Sequence, residues 1–198
     1  MTDDRWAVPV RAADSVHSLM GNVEAEILQG HRRGVALDEP YQHYQFAGRA
    51  DLVAWSVADR ALLHIENRTR FPNLQESFGS YNAKRTYLAP ALAERLRVPG
   101  GWVTVTHAIV ALWSAEVLHS LRLRTASFRA IAPDDPAPLI TWLTGGIPGA
   151  GVTSTFVVLD PVEGPRRRRW IGLEHALRAE PRYRGYAEAA QVFEANGL

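Results

Sequence analysis

The sequence predicts an α/β sandwich. Two observations carry that prediction: apolar residues switch between helical and strand-like spacing along the chain, and the helical stretches are interleaved with the extended ones. A third is bulk: 198 residues with 46% hydrophobic content supply apolar surface for a substantial core. The expected organisation is an α/β domain over residues 1–165, with a basic segment and C-terminal helix over 166–198 packed on it.

Taken in order, the first element is an amphipathic helix over 14–30. Val16, Leu19, Met20, Val23 and Ile27 recur at helical spacing, Asp14 is placed to cap its start and Gly30 to stop it. Extended runs follow over 44–57 and 61–70, the first interrupted by the Ala47-Gly48 step as a bulge or bend. Beyond Pro72, Leu74, Phe78, Tyr81, Leu88, Leu92 and Leu96 return to helical period, and Pro90 is expected to break or kink that pattern. Gly100-Gly101 ends it. Val103, Val105 and residues 108–112 read as a buried strand, 114–131 as one helix, 139–143 and 155–159 as further strands, and 181–196 as a final helix.

Composition excludes several classes of function. With 0 cysteines, disulfides, thiolate zinc sites and cysteine nucleophiles are ruled out. The longest apolar runs fall well short of the ~20 residues that span a bilayer, and the Met-Thr-Asp-Asp-Arg start has no basic and apolar leader. A soluble cytoplasmic protein with no membrane partner is expected. A net charge of +1 means that any nucleic-acid contact must come from local clustering. No Gly-x-Ser-x-Gly elbow is present, and the glycine-rich stretch 145–151 lacks both the Gly-Lys-Ser/Thr ending of a phosphate loop and the dinucleotide-binding spacing. That stretch is expected to be a loop between strands.

Chemistry concentrates in Gly48-Arg49-Ala50-Asp51 and in Glu66-Asn67-Arg68-Thr69. If the two extended runs form a hairpin centred on Ala58-Asp59, Asp51 falls opposite Glu66 and both carboxylates share one face. Ala58-Asp59 lacks the glycine or asparagine of a two-residue turn, so a longer loop with the same centre is expected. An odd-length loop would shift the register by one and send the acids to opposite faces. Facing carboxylates need compensation, and a divalent cation supplies it. An internal salt bridge from Arg68 to Asp51 is the competing solution.

At these residues the chain resembles the PD-(D/E)XK nuclease superfamily, in particular bacterial restriction-endonuclease-like proteins in which a Gly-x-x-Asp strand precedes an apolar strand ending Glu-x-Lys-Thr. The similarity continues through Leu74-Gln75-Glu76, Gly79 and Lys84-Arg85, and covers roughly residues 12–113. The resemblance implies a three-layer sandwich with a central mixed sheet flanked by helices. It also implies one or two Mg2+ or Mn2+ ions held by Asp51, Glu66 and the Asn67 carbonyl, with Asp51, Glu66, Arg68 and Gln75 as the catalytic set. DNA is the implied substrate, contacted by Lys84 and Arg85, and there is room for a homodimer. Glu24 or Glu26 of the first helix could reach the metal.

One departure matters. Arg68 stands where active relatives carry lysine. A guanidinium binds phosphate but does not readily exchange a proton, so weakened hydrolysis and a catalytically inactive module binding nucleic acid or a protein partner are both left open. A purely structural oligomerisation domain is a third outcome. His64, His107 and His119 show no ligand spacing and are expected to be structural. The 166–169 arginines are either a phosphate-binding arm or a solvated linker.

Overall fold

A computed structural model describes residues 14–43, 46–162 and 169–197. The chain begins with α1 (Ser15–Gly30), capped by Asp14, whose Oδ1 accepts from the His17 N–H at 2.9 Å. Three strands follow, β1 (Gly34–His43), β2 (Phe46–Ser56) and β3 (Ala61–Arg68), and then α2 (Leu74–Arg95) leads to β4 (Thr104–Leu112). Helices α3 (Ala115–Leu123), α4 (Thr125–Ile131) and α5 (Ala137–Leu143) precede β5 (Gly151–Leu159). Strand β6 (Trp170–Gly172), α6 (Leu173–Ala176) and α7 (Tyr186–Ala195) complete the described chain.

The strands form a six-stranded mixed sheet in sequential order, β1 to β6. β1–β2, β2–β3 and β5–β6 are antiparallel, whereas β3–β4 and β4–β5 are parallel. Parallel strands need crossovers, which α2 and the α3–α5 group provide. Paired in parallel on both sides and covered on both faces, β4 is solvent-shielded at every position, including Thr104, Thr106 and His107. One face of the sheet carries α1, α5 and α7, packed through Met20, Leu28, Trp142 and Phe193. The other carries α2, α3, α4 and α6, packed through Tyr81, Leu118, Phe128, Ala176 and Leu88. This is an α/β architecture with helices on both faces of a mixed sheet.

Several expectations need correction. Residues 139–143 are helical: Leu139, Trp142 and Leu143 recur at i, i+3, i+4 and face the core, and so short an apolar run fits either period. Helix α2 continues through Pro90, because Tyr81 and Lys84 before the proline and Leu88 and Leu92 around it are all buried against the sheet. The missing N–H costs one bond of the ladder and does not end the helix. Residues 114–131 divide into α3 and α4 at Arg124, whose ψ of 32° leaves the helical region. The glycine-rich stretch joins a helix to a strand. Strand β1 was not expected, since GVALDEPYQH is polar and contains Pro40, a composition that only an edge strand tolerates. In the earlier extended run, Tyr44 and Gln45 lie outside the described residues, as do Arg166, Arg167 and Arg168. None of the described helices is long and apolar enough to cross a membrane.

Candidate functional site

The β2–β3 hairpin has the expected register. Leu52 pairs with Ile65 and Ser56 with Ala61, closing through a four-residue turn at 57–60 whose even length preserves the facing. The turn is held by Ser56 Oγ, which donates to Asp59 Oδ2 at 2.6 Å. Ladder pairing stops at Leu52, and Asp51 turns its carboxylate toward β3. There Oδ2 accepts the Asn67 N–H at 2.7 Å, a side chain taking the place of a strand carbonyl.

Alternation along β3 distributes the remaining groups. Leu63 and Ile65 pack beneath α1, and on that face the Asn67 amide donates to Glu24 Oε2 of α1 at 2.9 Å. His64, Glu66 and Arg68 alternate with them, and Glu66 meets α2, where Lys84 Nζ donates to Oε2 at 2.5 Å. The other Glu66 oxygen, Oε1, accepts from His64 Nε2 at 3.0 Å. Arg68 then joins the hairpin together: Nη2 donates to Glu66 Oε2 at 2.9 Å, and Nη1 to Asp51 Oδ2 at 3.2 Å and to the Asn67 carbonyl at 2.7 Å.

These surroundings set the protonation states. Burial by itself would raise the Glu66 pKa, but the His64 hydrogen bond and the charges of His64, Lys84 and Arg68 overcome it and bring the carboxyl to about 2. Burial pushes Glu24 up to about 8, with the Asn67 hydrogen bond opposing and the Asp51 charge reinforcing the shift. Glu24 is therefore mostly protonated at neutral pH. At the mouth of the cluster, Asp51 Oδ1 lies 3.6 Å from His17 Nε2 and raises the pKa of that imidazole. Inside, His64 Nδ1 and His107 Nδ1 are 3.0 Å apart and share one proton between them. Burial, then the positive charge nearby, lowers His107 well below the ordinary range.

The structure thus gathers Asp51, Glu66, Asn67, Arg68 and Lys84 into one cluster. Lys84, expected to reach DNA, is buried with its ammonium turned inward. Arg85 is also engaged, donating to the Ile131 carbonyl at 3.2 Å and lying over the Tyr81 ring. Gln75 is exposed in the first turn of α2, apart from these contacts. Two features escaped sequence reasoning. Lys84 sits on the apolar stripe of Tyr81, Leu88 and Leu92, a position that signals a buried ammonium. The His64–His107 pair depends on the parallel register of β3 and β4, for which the sequence holds no signal.

Divalent-ion binding can be tested against the donor set. Both Glu66 oxygens, Asp51 Oδ2 and the Asn67 carbonyl face N–H donors of the chain itself. Lone pairs so engaged do not fit a bound divalent ion, and among the described residues no group of three or more His, Asp or Glu is arranged to hold a metal. Comparison with protein-family models and with curated proteins finds no match for this chain.

Proposed function

We propose that this chain is a restriction-endonuclease-like module that binds DNA without hydrolysing it. The observation that carries the reading is the saturation of Glu66, which accepts from His64, Arg68 and Lys84 within 3.0 Å while buried. A metal-assisted hydrolytic centre relies on carboxylates whose charge is left for the ion. Here two carboxylates are balanced by two cations of the chain. The mixed sheet covered by helices on both faces and the gathering of Asp51 and Glu66 from neighbouring strands around Arg68 support the nuclease-like fold. The resemblance supplies the class of partner. Arg68, one-fifth exposed, and Arg70, exposed two residues on, are the candidate phosphate contacts.

With a net charge of +1 and few such contacts, DNA affinity is expected to be weak and to fall steeply with salt. Fluorescence anisotropy with duplex DNA across a salt series, with and without EDTA, tests this. The expected curve shifts with salt and is indifferent to EDTA. Tight binding unchanged by salt, or no binding at the lowest salt, overturns the reading.

One observation favours a second reading, metal-dependent hydrolysis. Lys84 brings to Glu66, from α2, the ammonium that the strand lacks at position 68. On that reading Arg68→Lys raises or creates plasmid nicking with magnesium or manganese, and Glu66→Ala in that background abolishes it. General acid–base assistance is worth typically ~10²–10⁴-fold, well within the reach of a nicking assay. Nicking by the native chain that disappears in Glu66→Ala would replace the first reading with the second. Silence from the native chain and from Arg68→Lys with either metal removes the second.

A further inference from the structure

We infer that Arg68 is the chain's own substitute for a divalent cation, so that the cluster takes up such an ion only when this side chain is removed. The inference deepens the non-hydrolytic reading above and rests on it. Three acceptors from two strands converge on one guanidinium: Asp51 Oδ2 at 3.2 Å, Glu66 Oε2 at 2.9 Å and the Asn67 carbonyl at 2.7 Å. These are the same three groups that the resemblance assigns to a metal. The two carboxylates draw the guanidinium back along the strand, and the Asn67 carbonyl completes its set of acceptors. An extended, hydrated guanidinium is the default for so flexible a stem.

Charge accounts for the arrangement. Arg68 and Lys84 together bring the two positive charges that one divalent ion would bring, and they meet the two carboxylates of Asp51 and Glu66. Removing Arg68 leaves two carboxylates against a single ammonium. It also frees the Asn67 carbonyl, together with one of the bonds to Asp51 Oδ2 and one of those to Glu66 Oε2. Oxygen ligands of this kind, completed by water, are what a hard divalent ion takes. On the other side of Asn67 lie two further buried oxygens, Glu24 Oε1 and Asn67 Oδ1, without hydrogen-bond partners among the described residues.

The test uses Mn2+ as the probe, read from the electron paramagnetic resonance signal of the free ion, together with thermal unfolding in its presence. The native chain is expected to leave the signal unchanged up to millimolar ion. Arg68→Ala is expected to bind with a dissociation constant on the order of 10⁻⁴–10⁻³ M, the weak end of oxygen-ligand sites. It should gain thermal stability from Mn2+ where the native chain gains none, and Glu66→Gln added to Arg68→Ala should abolish both effects. Arg68→Gln, which keeps an amide donor near Glu66, provides the same comparison if Arg68→Ala does not fold. Two results overturn the inference: native binding as tight as that of the variant, or folded Arg68→Ala and Arg68→Gln that both leave the signal unchanged. DNA anisotropy on the native chain is a separate readout, so loss of the DNA-binding reading is distinguishable from loss of this one.

Discussion

On the α2 face of β3, Glu66 is buried among three donors and its pKa falls to about 2. On the α1 face, Glu24 is buried as completely, meets one amide, and rises to about 8. The two side chains have the same chemistry and the same exclusion from water, so burial alone does not decide the charge of a carboxyl. Desolvation raises both, and the partners decide the outcome. The difference teaches where the cluster stores charge: on the α2 side as an ion-pair network, on the α1 side as a proton.

The sharpest way to break the comparison is to remove the charged member. Glu66→Ala strands Lys84 and Arg68 at 7% and 20% exposure without their shared carboxylate, and is expected to cost about 3–5 kcal/mol in denaturant unfolding at neutral pH. An unfolding free energy unchanged by the substitution would show that the network holds no stability. Lys84→Met removes only one of the three donors and keeps the volume apolar. Its expected cost is smaller, about 1–3 kcal/mol.

The pH dependence separates the two faces. Glu24 has a folded pKa of about 8 against the ordinary 4.5 of a glutamate carboxyl, so the folded chain retains a proton that the unfolded chain releases. Its contribution is fully present below 4.5 and is lost as pH rises toward 8, with a slope of up to about 1.4 kcal/mol per pH unit. Glu66 acts in the opposite direction and lower on the scale. Its contribution is present above 4.5 and is lost as pH falls toward 2. Glu24→Gln should therefore flatten the stability profile between 4.5 and 8 and leave the acid limb in place. A profile with the native slope would show that Glu24 is ionised in the folded chain.

The smallest effect is expected at the mouth. His17 is raised by the Asp51 carboxylate, so its contribution is present below its ordinary value and lost as pH rises through the raised one. The imidazole is about one-third exposed, and His17→Ala should cost under about 1 kcal/mol at pH 6 and still less at pH 8. A titration of the His17 ring by nuclear magnetic resonance that shows no upward shift would remove the pairing with Asp51.

Sequence reasoning reached the hairpin, its register and the gathering of Asp51 with Glu66, because period-two alternation and turn length are local properties. It reached α1 through the Asp14 cap and apolar spacing, and the start of α2 through apolar spacing beyond Pro72 alone. It did not reach β1, whose edge position permits a polar sequence with a proline, or α5, whose seven residues satisfy two periods equally. The site was legible as a list of polar residues and, in the Arg68–Asp51 salt bridge offered as the competing solution, as one of its pairings; the rest of the pairings were not. Lys84 turns inward only because α2 and β3 meet at that point, and that meeting is a tertiary fact.

Strand β1 bears on how the sheet presents its outer boundary to other chains. Its ladder with β2 skips Asp38, which takes a φ of 55° between Leu37 and Glu39, and Pro40 has no N–H to offer any neighbour. An approaching strand therefore meets an interrupted row of donors and acceptors. At the opposite boundary, β6 offers three residues. Among the described residues both margins are therefore poor templates for a further strand, the geometry that discourages edge-to-edge pairing between molecules.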